Sequence, residues 1–381
     1  MRQSTSESLT AWLFLAPALC VLGAFGLFPI GYALFVSLHD WRIRRGALLG
    51  LRHYRRALGE PEALLWFVLG CLLIVVVARL RGSRLLHRLS LGRCQRRAAL
   101  ALLLGLGLWL ALVPGLRGLC ATGDPRLYNG LRVTALYALA TIPVQLSLSM
   151  LLAYLLLMSL RAKGFFRVVL FLPYVTPVIA SAVVFRSIFS PDPASLANRL
   201  WTWCGFGQLR WLYESRSVVA LLLRAAGMQA WPVWIDTFFP SLALTSIVVY
   251  NIWVYIGYDT VILLAGLSAI PRHYYEAAQI DGASAWQSFR HITLPLVSPT
   301  LFFLSMVAVI GTFRAFNHIY IMRTAGARDS VDVLSVTIFD VLFENHNAGY
   351  AAALAFVLFA VILALTALQN RVVGKRVFYG D

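Results

Sequence analysis

Apolar runs long enough to cross a bilayer restrict this chain more than any other feature. A hydrocarbon core about 30 Å thick needs about 20 apolar residues per helical span. Runs that meet or approach that length stand at 12–38, 63–78, 98–114, 133–158, 166–189, 241–268, 297–318 and 350–368. With 60% hydrophobic and 13% charged residues, the chain carries more apolar surface than one soluble core hides. The runs at 63–78 and 98–114 are the shortest, and they leave open either two full spans or a re-entrant, interfacial pair. The expected fold is an all-α polytopic membrane protein.

The net charge of +17 does not point to nucleic acid, because the basic residues sit in loops between apolar runs rather than along one soluble face. Contact with membrane lipid headgroups or with a partner protein accounts for them. The first run continues far beyond a signal-peptide core and reads as a retained span. Cys20, Cys71, Cys94, Cys120 and Cys204 form no C-x-x-C pair, so neither a metal site nor a disulfide framework is expected. Glu344-Asn345-His346 supplies too few ligands for a metal and reads as a solvated outer loop.

One polar connection, between the runs at 241–268 and 297–318, has unusual regularity. Glu276-Ala277-Ala278-Gln279-Ile280-Asp281-Gly282 is followed nine residues later by Ile292-Thr293-Leu294-Pro295. Pro271 stands where a helix starts, and Tyr274 to Ile280 reads as a short helix whose Ala277 and Ala278 leave a shallow surface for another protein. Gly282 suits the left-handed turn between two helices. Ala283 to Ile292 forms a second short helix, and Pro295 stops or redirects it. The product is a helical elbow on the membrane surface.

This pattern resembles the EAA loop of ABC importer permeases: Glu-Ala-Ala, three residues, Gly, nine residues, then Ile-x-Leu-Pro. Every fixed position is met. The resemblance implies that Glu276, Ala277, Ala278, Gly282, Ile292, Leu294 and Pro295 dock into a cleft on a cytoplasmic ATPase subunit and carry its motion into the membrane, with Glu276 pairing a basic residue there. The chain itself has no P-loop. Its two lysines, Lys163 and Lys375, lack the G-x-x-x-x-G-K-[ST] frame. No cofactor is expected in this chain, with ATP and Mg held by a separate ATPase dimer, and the chain is read as a transport subunit rather than an enzyme. The further partners implied are a second homologous permease subunit and an extracytoplasmic solute-binding protein.

A cytoplasmic elbow places both termini in the cytoplasm of a multi-pass inner-membrane protein, by counting spans in each direction. The basic turns at 161–167 and 371–376 and the Arg-rich stretch from Arg79 to Arg97 then lie inside. Arg42, Arg44, Arg45, Arg52, Arg55 and Arg56 lie outside, so the charge bias alone does not fix the orientation. The resemblance to large permease subunits of sugar importers covers about 12–59 and 124–376, supported by Gly50-Leu51-Arg52-His53-Tyr54, Phe171-Leu172-Pro173-Tyr174 and Gly349-Tyr350-Ala351-Ala352-Ala353. Four segments are expected: 1–59 with the first span, 60–123 as an inserted transmembrane hairpin, 124–376 as permease core with the elbow at 271–296, and a 377–381 tail. Six core spans plus the hairpin make about eight. In the long stretch from Pro191 to Pro240, Ser217 to Ala230 reads as an amphipathic surface helix.

Asn251, Tyr255 and Tyr258 share one helical face at i, i+4 and i+7. Aromatic rings and amides are what a sugar needs from its site. In maltose-type members of the family, matching positions contribute to the solute site. The resemblance therefore nominates Tyr174, Asn251, Val254, Tyr255, Tyr258, Thr312 and Ala315. Identities match at 174, 251 and 258 and differ at 255, 312 and 315, which leaves room for a sugar other than maltose. The structural alternative is that the tyrosines pack between helices and Asn251 bonds across them. Asp259 and Arg314 are ionisable groups in or at the edge of spans, and pairing, a wet cavity and an interfacial position all remain open. Pro173 and Pro177 unsettle the helix that carries Tyr174.

Two other classes compete. A multispan membrane enzyme lacks paired carboxylates, a nucleophile with a base, or a His cluster at membrane depth. A secondary transporter generally carries internal repeats, and the two halves here show none.

Overall fold

The computed structural model describes residues 5–81, 93–158, 162–228, 230–232 and 234–378. The turn of the Arg-rich stretch, 82–92, lies outside the described residues, as does Arg161. Among the described residues six helices are long and apolar enough to cross a membrane: Thr10–Ser37, Leu100–Thr122, Pro125–Leu157, Leu242–Ser268, Ala285–Phe313 and Ala348–Val372. Two bent pairs raise the number to eight, Arg52–Leu58 with Pro61–Val77 and Lys163–Val175 with Val178–Ile188. The runs that were short by hydropathy lengthen into helices of 21 residues at Pro61–Arg81 and 23 at Leu100–Thr122. The small β-content is one two-stranded ribbon, His39–Trp41 with Arg45–Leu48.

The chain divides into two compact units, residues 1–128 with 338–357, and residues 129–337 with 358–381. In the first unit the helix Pro61–Arg81 runs antiparallel to the helical stretch from Arg93 to Thr122. A Cβ at Gly70 would meet the backbone of Ala111, one at Gly115 the backbone of Phe67, and one at Gly118 the side chain of Ala63. The axes approach so closely because small residues face each other, which is how helices associate where water gives no driving force. The two ends of this hairpin are fastened to one another. The Asp124 amide donates to the Ala57 carbonyl at 3.1 Å, the Glu60 amide to Thr122 Oγ1 at 3.1 Å, and the Tyr128 hydroxyl to the Leu58 carbonyl at 2.7 Å. Beside this clasp the Tyr350 hydroxyl donates to Asp124 Oδ2 at 2.5 Å and the Arg56 guanidinium covers the Tyr350 ring.

In the second unit the helix Leu242–Ser268 is the central element, with fifteen buried residues along its 27. Its partners are the first half of the bent pair and the helix Ala285–Phe313. One cluster gathers Tyr137, Ala182, Ile247, Tyr250, Val254, Ile319 and Met322, and a second gathers Met150, Ala153, Leu263, Leu267, Val297 and Leu304. Glycine sets the closest contact, since a Cβ at Gly257 would fall on the carbonyl oxygen of Leu170.

Two local expectations need correction. Pro295 neither stops nor redirects the second arm of the elbow. The helix runs unbroken from Ala285 to Phe313 through a wide π-turn at Phe289–Thr293. A π-turn shifts the hydrogen-bond register, so the missing proline donor and the ring fall where the ladder is already interrupted. The surface helix expected over Ser217 to Ala230 is confined to Val218–Ala225, capped by the Ser217 hydroxyl and ended near Gly227 at φ +92°.

Candidate functional site

The bent pair creates the opening on which the site depends. Pro177 lacks an amide donor, and Thr176 leaves the helical region at ψ 137°, so Lys163–Val175 and Val178–Ile188 meet at 95°. Side chains add hydrogen bonds on both sides of the break. The Thr176 hydroxyl donates to the Leu172 carbonyl at 3.0 Å, and the Tyr250 hydroxyl to the Val178 carbonyl at 3.1 Å.

Beside this break lies a cavity of about 290 Å³, near the lower end of ligand pockets, which span about 300–1,000 Å³. Tyr174, Asn251, Tyr255, Tyr258, Thr312 and Ala315 all line it. Tyr174 stacks on Tyr258 with centroids 4.6 Å apart and meets Tyr255 edge-on at 5.8 Å. Tyr174 and Tyr255 remain 39% and 36% exposed, so this aromatic wall is open rather than sealed in the core. Val254 does not line the cavity. It is 4% exposed and packs in the core cluster with Tyr250 and Ile319.

The polar wall is a chain of three side chains. The Asn251 amide donates to Gln145 Oε1 at 3.2 Å, and Gln145 Nε2 donates to Asp259 Oδ2 at 2.7 Å. All three are buried and border the cavity. Arg314 lines the same cavity without an ion pair to Asp259, so of the arrangements left open by the sequence the two groups adopt the shared cavity. Gln145, Asn317 and His318 were not singled out by sequence reasoning. Gln145 had a usable signal, an amide within an otherwise apolar span. His318 had none, because its place is set by a tertiary bond between its Nε2 and the Tyr137 hydroxyl at 2.8 Å.

The elbow forms a second feature of the same unit. Its first arm is the helix His273–Ile280, and Gly282 turns the chain at φ +75°. The second arm begins with a capping box in which Ser284 and Gln287 satisfy each other's amides. The Tyr275 hydroxyl and Thr293 Oγ1, 3.0 Å apart, tie one arm to the other, and the Phe289 ring meets Tyr154 edge-on at 5.7 Å. Glu276, Ala277 and Gly282 are exposed, and Ala278, Ile292 and Pro295 are partly covered. Leu294 is exposed as well. Ile280 and Trp286 are 87% and 66% exposed on the same elbow, an unusual display of apolar surface beside charged residues.

A membrane bundle with a broken span, a lined cavity and an exposed helical elbow has the parts that a solute-conducting subunit needs. Residues 145–378 match the family described as binding-protein-dependent transport system inner membrane component, and the chain belongs to that family. It is thus a multi-pass inner-membrane permease component of an ABC importer. Among its relatives, the sn-glycerol-3-phosphate transport system permease protein UgpA of Agrobacterium fabrum is 31% identical over 258 residues, covering 68% of this chain and 79% of the relative. The arabinooligosaccharides transport system permease protein AraP of Halalkalibacterium halodurans is 29% identical over 253 residues, covering 66% and 72%. A Probable ABC transporter permease protein of Pyrococcus horikoshii is 26% identical over 356 residues, covering 93% and 91%, a match long enough to include the hairpin region. The crystal structure of a bacterial ABC transporter involved in the import of the acidic polysaccharide alginate contains a similar fold, with a TM-score of 0.54 and 20% identity over 66% of this chain and 80% of that one.

Proposed function

We propose that this permease translocates a sugar or related polyol through the cavity beside the 174–178 break, with the solute delivered by an external binding protein. The observation that carries this reading is the facing of an aromatic wall, Tyr174, Tyr255 and Tyr258, with an amide and carboxylate wall, Asn251, Gln145 and Asp259. Rings cover the C–H faces of a sugar while the polar chain matches its hydroxyls. Relatives whose names specify arabinooligosaccharides, lactose and sn-glycerol-3-phosphate support the same class.

A phosphorylated polyol is the second reading, favoured by Arg314, a cavity-lining cation with no acidic partner among the described residues. Uptake in the reconstituted complex, measured with arabinooligosaccharides, lactose and sn-glycerol-3-phosphate in parallel, separates the two readings. Transport of none of these, together with no effect of Asn251→Leu on any solute found later, overturns the site.

In this reading the elbow faces a cytoplasmic ATPase dimer that holds ATP and Mg. Glu276 supplies its charged contact, and Ala277, Ala278 and Gly282 shape the surface that docks, with Ile292, Leu294 and Pro295 fixing the second arm. Both termini are cytoplasmic. A second homologous permease subunit completes the pathway, because alternating access moves one bundle against another around a shared site. The core is 124–376, and 60–123 is a peripheral inserted hairpin whose ends are clasped to each other.

A further inference from the structure

Apart from the solute cavity, the second unit holds a cleft of about 600 Å³ at the ends of three spans, just behind the elbow. Lys163, Arg167 and Arg272 line it, and none makes an ion pair among the described residues. Glu276, one helical turn beyond Arg272, does not neutralise it. Among the described residues Lys163 Nζ donates to the Leu157 carbonyl, at 3.3 Å. Much of the remaining wall is apolar, with Leu157, Leu264 and Leu267 among it, while Ser268, Tyr275 and Gln279 add polar groups.

These residues sort by their place along the chain. Leu157, Leu264 and Leu267 belong to the last turns of apolar spans, Lys163 and Arg167 to the first turns of the next, and Arg272 to the approach to the elbow. That height is the headgroup level of a bilayer, where long basic side chains reach out of the apolar layer. Three uncompensated cations above an apolar wall suit a ligand with an anionic head and a hydrocarbon body, and basic pockets between spanning helices are known lipid sites.

We propose that this cleft binds an anionic phospholipid, and that the lipid braces the elbow against the ends of the helices Pro125–Leu157 and Lys163–Val175. Tyr275 and Gln279 of the elbow share the cleft, and Tyr275 is also bonded to Thr293 of the second arm, so occupancy stiffens both arms together. The inference is independent of which solute is carried.

The test uses the complete importer, permeases with ATPase, in phosphatidylcholine vesicles with and without phosphatidylglycerol. Native mass spectrometry reads lipid retention and phosphate release reads ATP hydrolysis. The expected result is retained phosphatidylglycerol and faster hydrolysis in the wild type. Lys163→Gln and Arg167→Gln, neither on the elbow, should each lower retention about fivefold, since a cation near an anionic headgroup contributes about 1 kcal/mol. Arg167→Lys, which keeps the charge and reports on folding, should retain the lipid. Equal retention in wild type and both Gln variants overturns the proposal. Displacement of the lipid by soluble glycerol phosphate assigns the cleft to a soluble anion instead. Loss of the ATPase subunits from the variants with lipid retention unchanged makes the cleft a protein dock and also overturns it.

Discussion

The ring of Tyr174, in the last turn before the break in its span, lies stacked on the ring of Tyr258 with planes 23° apart. One partner stands on an interrupted helix and the other on the most buried helix of its unit, so any hinging at residues 176–177 shifts the aromatic wall directly.

Removing that stack tests its role. Aromatic pairs contribute about 0.5–1.5 kcal/mol beyond their buried area, so Tyr258→Ala should lower solute affinity roughly 2- to 10-fold, while Tyr258→Phe keeps the stack and most of the uptake. Solute-concentration dependence of uptake in vesicles measures both. Asn251→Leu strips Gln145 Oε1 of its donor, a loss of about 1–3 kcal/mol, and should lower transport roughly 5- to 150-fold while basal ATP hydrolysis persists.

The elbow should fail differently. Gly282→Val forces a β-branched residue to φ +75°, which costs about 1–3 kcal/mol, and Glu276→Lys reverses an exposed charge. Both variants should insert normally yet show ATP hydrolysis no longer stimulated by loaded binding protein. Normal stimulated hydrolysis in both refutes the coupling role.

Gly257 offers a packing test. A methyl group there would fall on the Leu170 carbonyl, so Gly257→Ala should lower the unfolding midpoint in detergent by an overpacking cost of about 1–3 kcal/mol. Gly105→Ala, which meets nothing within 4 Å inside a helix, should instead raise it slightly, by about 0.5–1 kcal/mol of helix preference.

Asp236 gives a pH prediction outside the spans. Burial pushes its carboxyl up, but the bonds from Trp231 and Ser217 and the nearby Arg216 charge outweigh this and hold it below the ordinary carboxylate value. A depressed folded value means its contribution is complete above the unfolded carboxylate pKa and is lost as pH falls through the lower, folded one. Trp231 emission followed during acid titration should report that loss, and Asp236→Asn should remove it.

The hairpin clasp predicts tolerance. Deleting 60–123 joins Gly59 to Asp124, whose amide already bonds the Ala57 carbonyl, while Tyr128 bonds that of Leu58, so the shortened permease should assemble with its ATPase and keep uptake. An assembled complex without uptake shows that the hairpin takes part in transport.

Much of this was legible from sequence because the signals were local. Apolar runs marked the spans, Pro173 and Pro177 marked the break, and the spacing from Glu276 to Pro295 marked the elbow. Val254 was misplaced by counting along one helix. It sits about 60° around the axis from Asn251, at the edge of the stripe, and the core on that side claims it. Gln145 and His318 depend on which helices meet, which no single segment records.

The break also constrains how the protein is built. The Val178 carbonyl accepts from the hydroxyls of both Tyr250 and Ser181, and those two hydroxyls lie 2.8 Å apart. Ser181 also donates to carbonyls of its own segment, those of Pro177 and Val178, so neither group waits for Tyr250, which is synthesised some seventy residues later. The dependence runs the other way: the hydroxyl of Tyr250, a buried residue, needs the acceptor that the break presents, because hydrocarbon offers none. The bent segment, made first, thus presents a polar anchor for the helix Leu242–Ser268 to find when it arrives, and the break serves as a template for the later span.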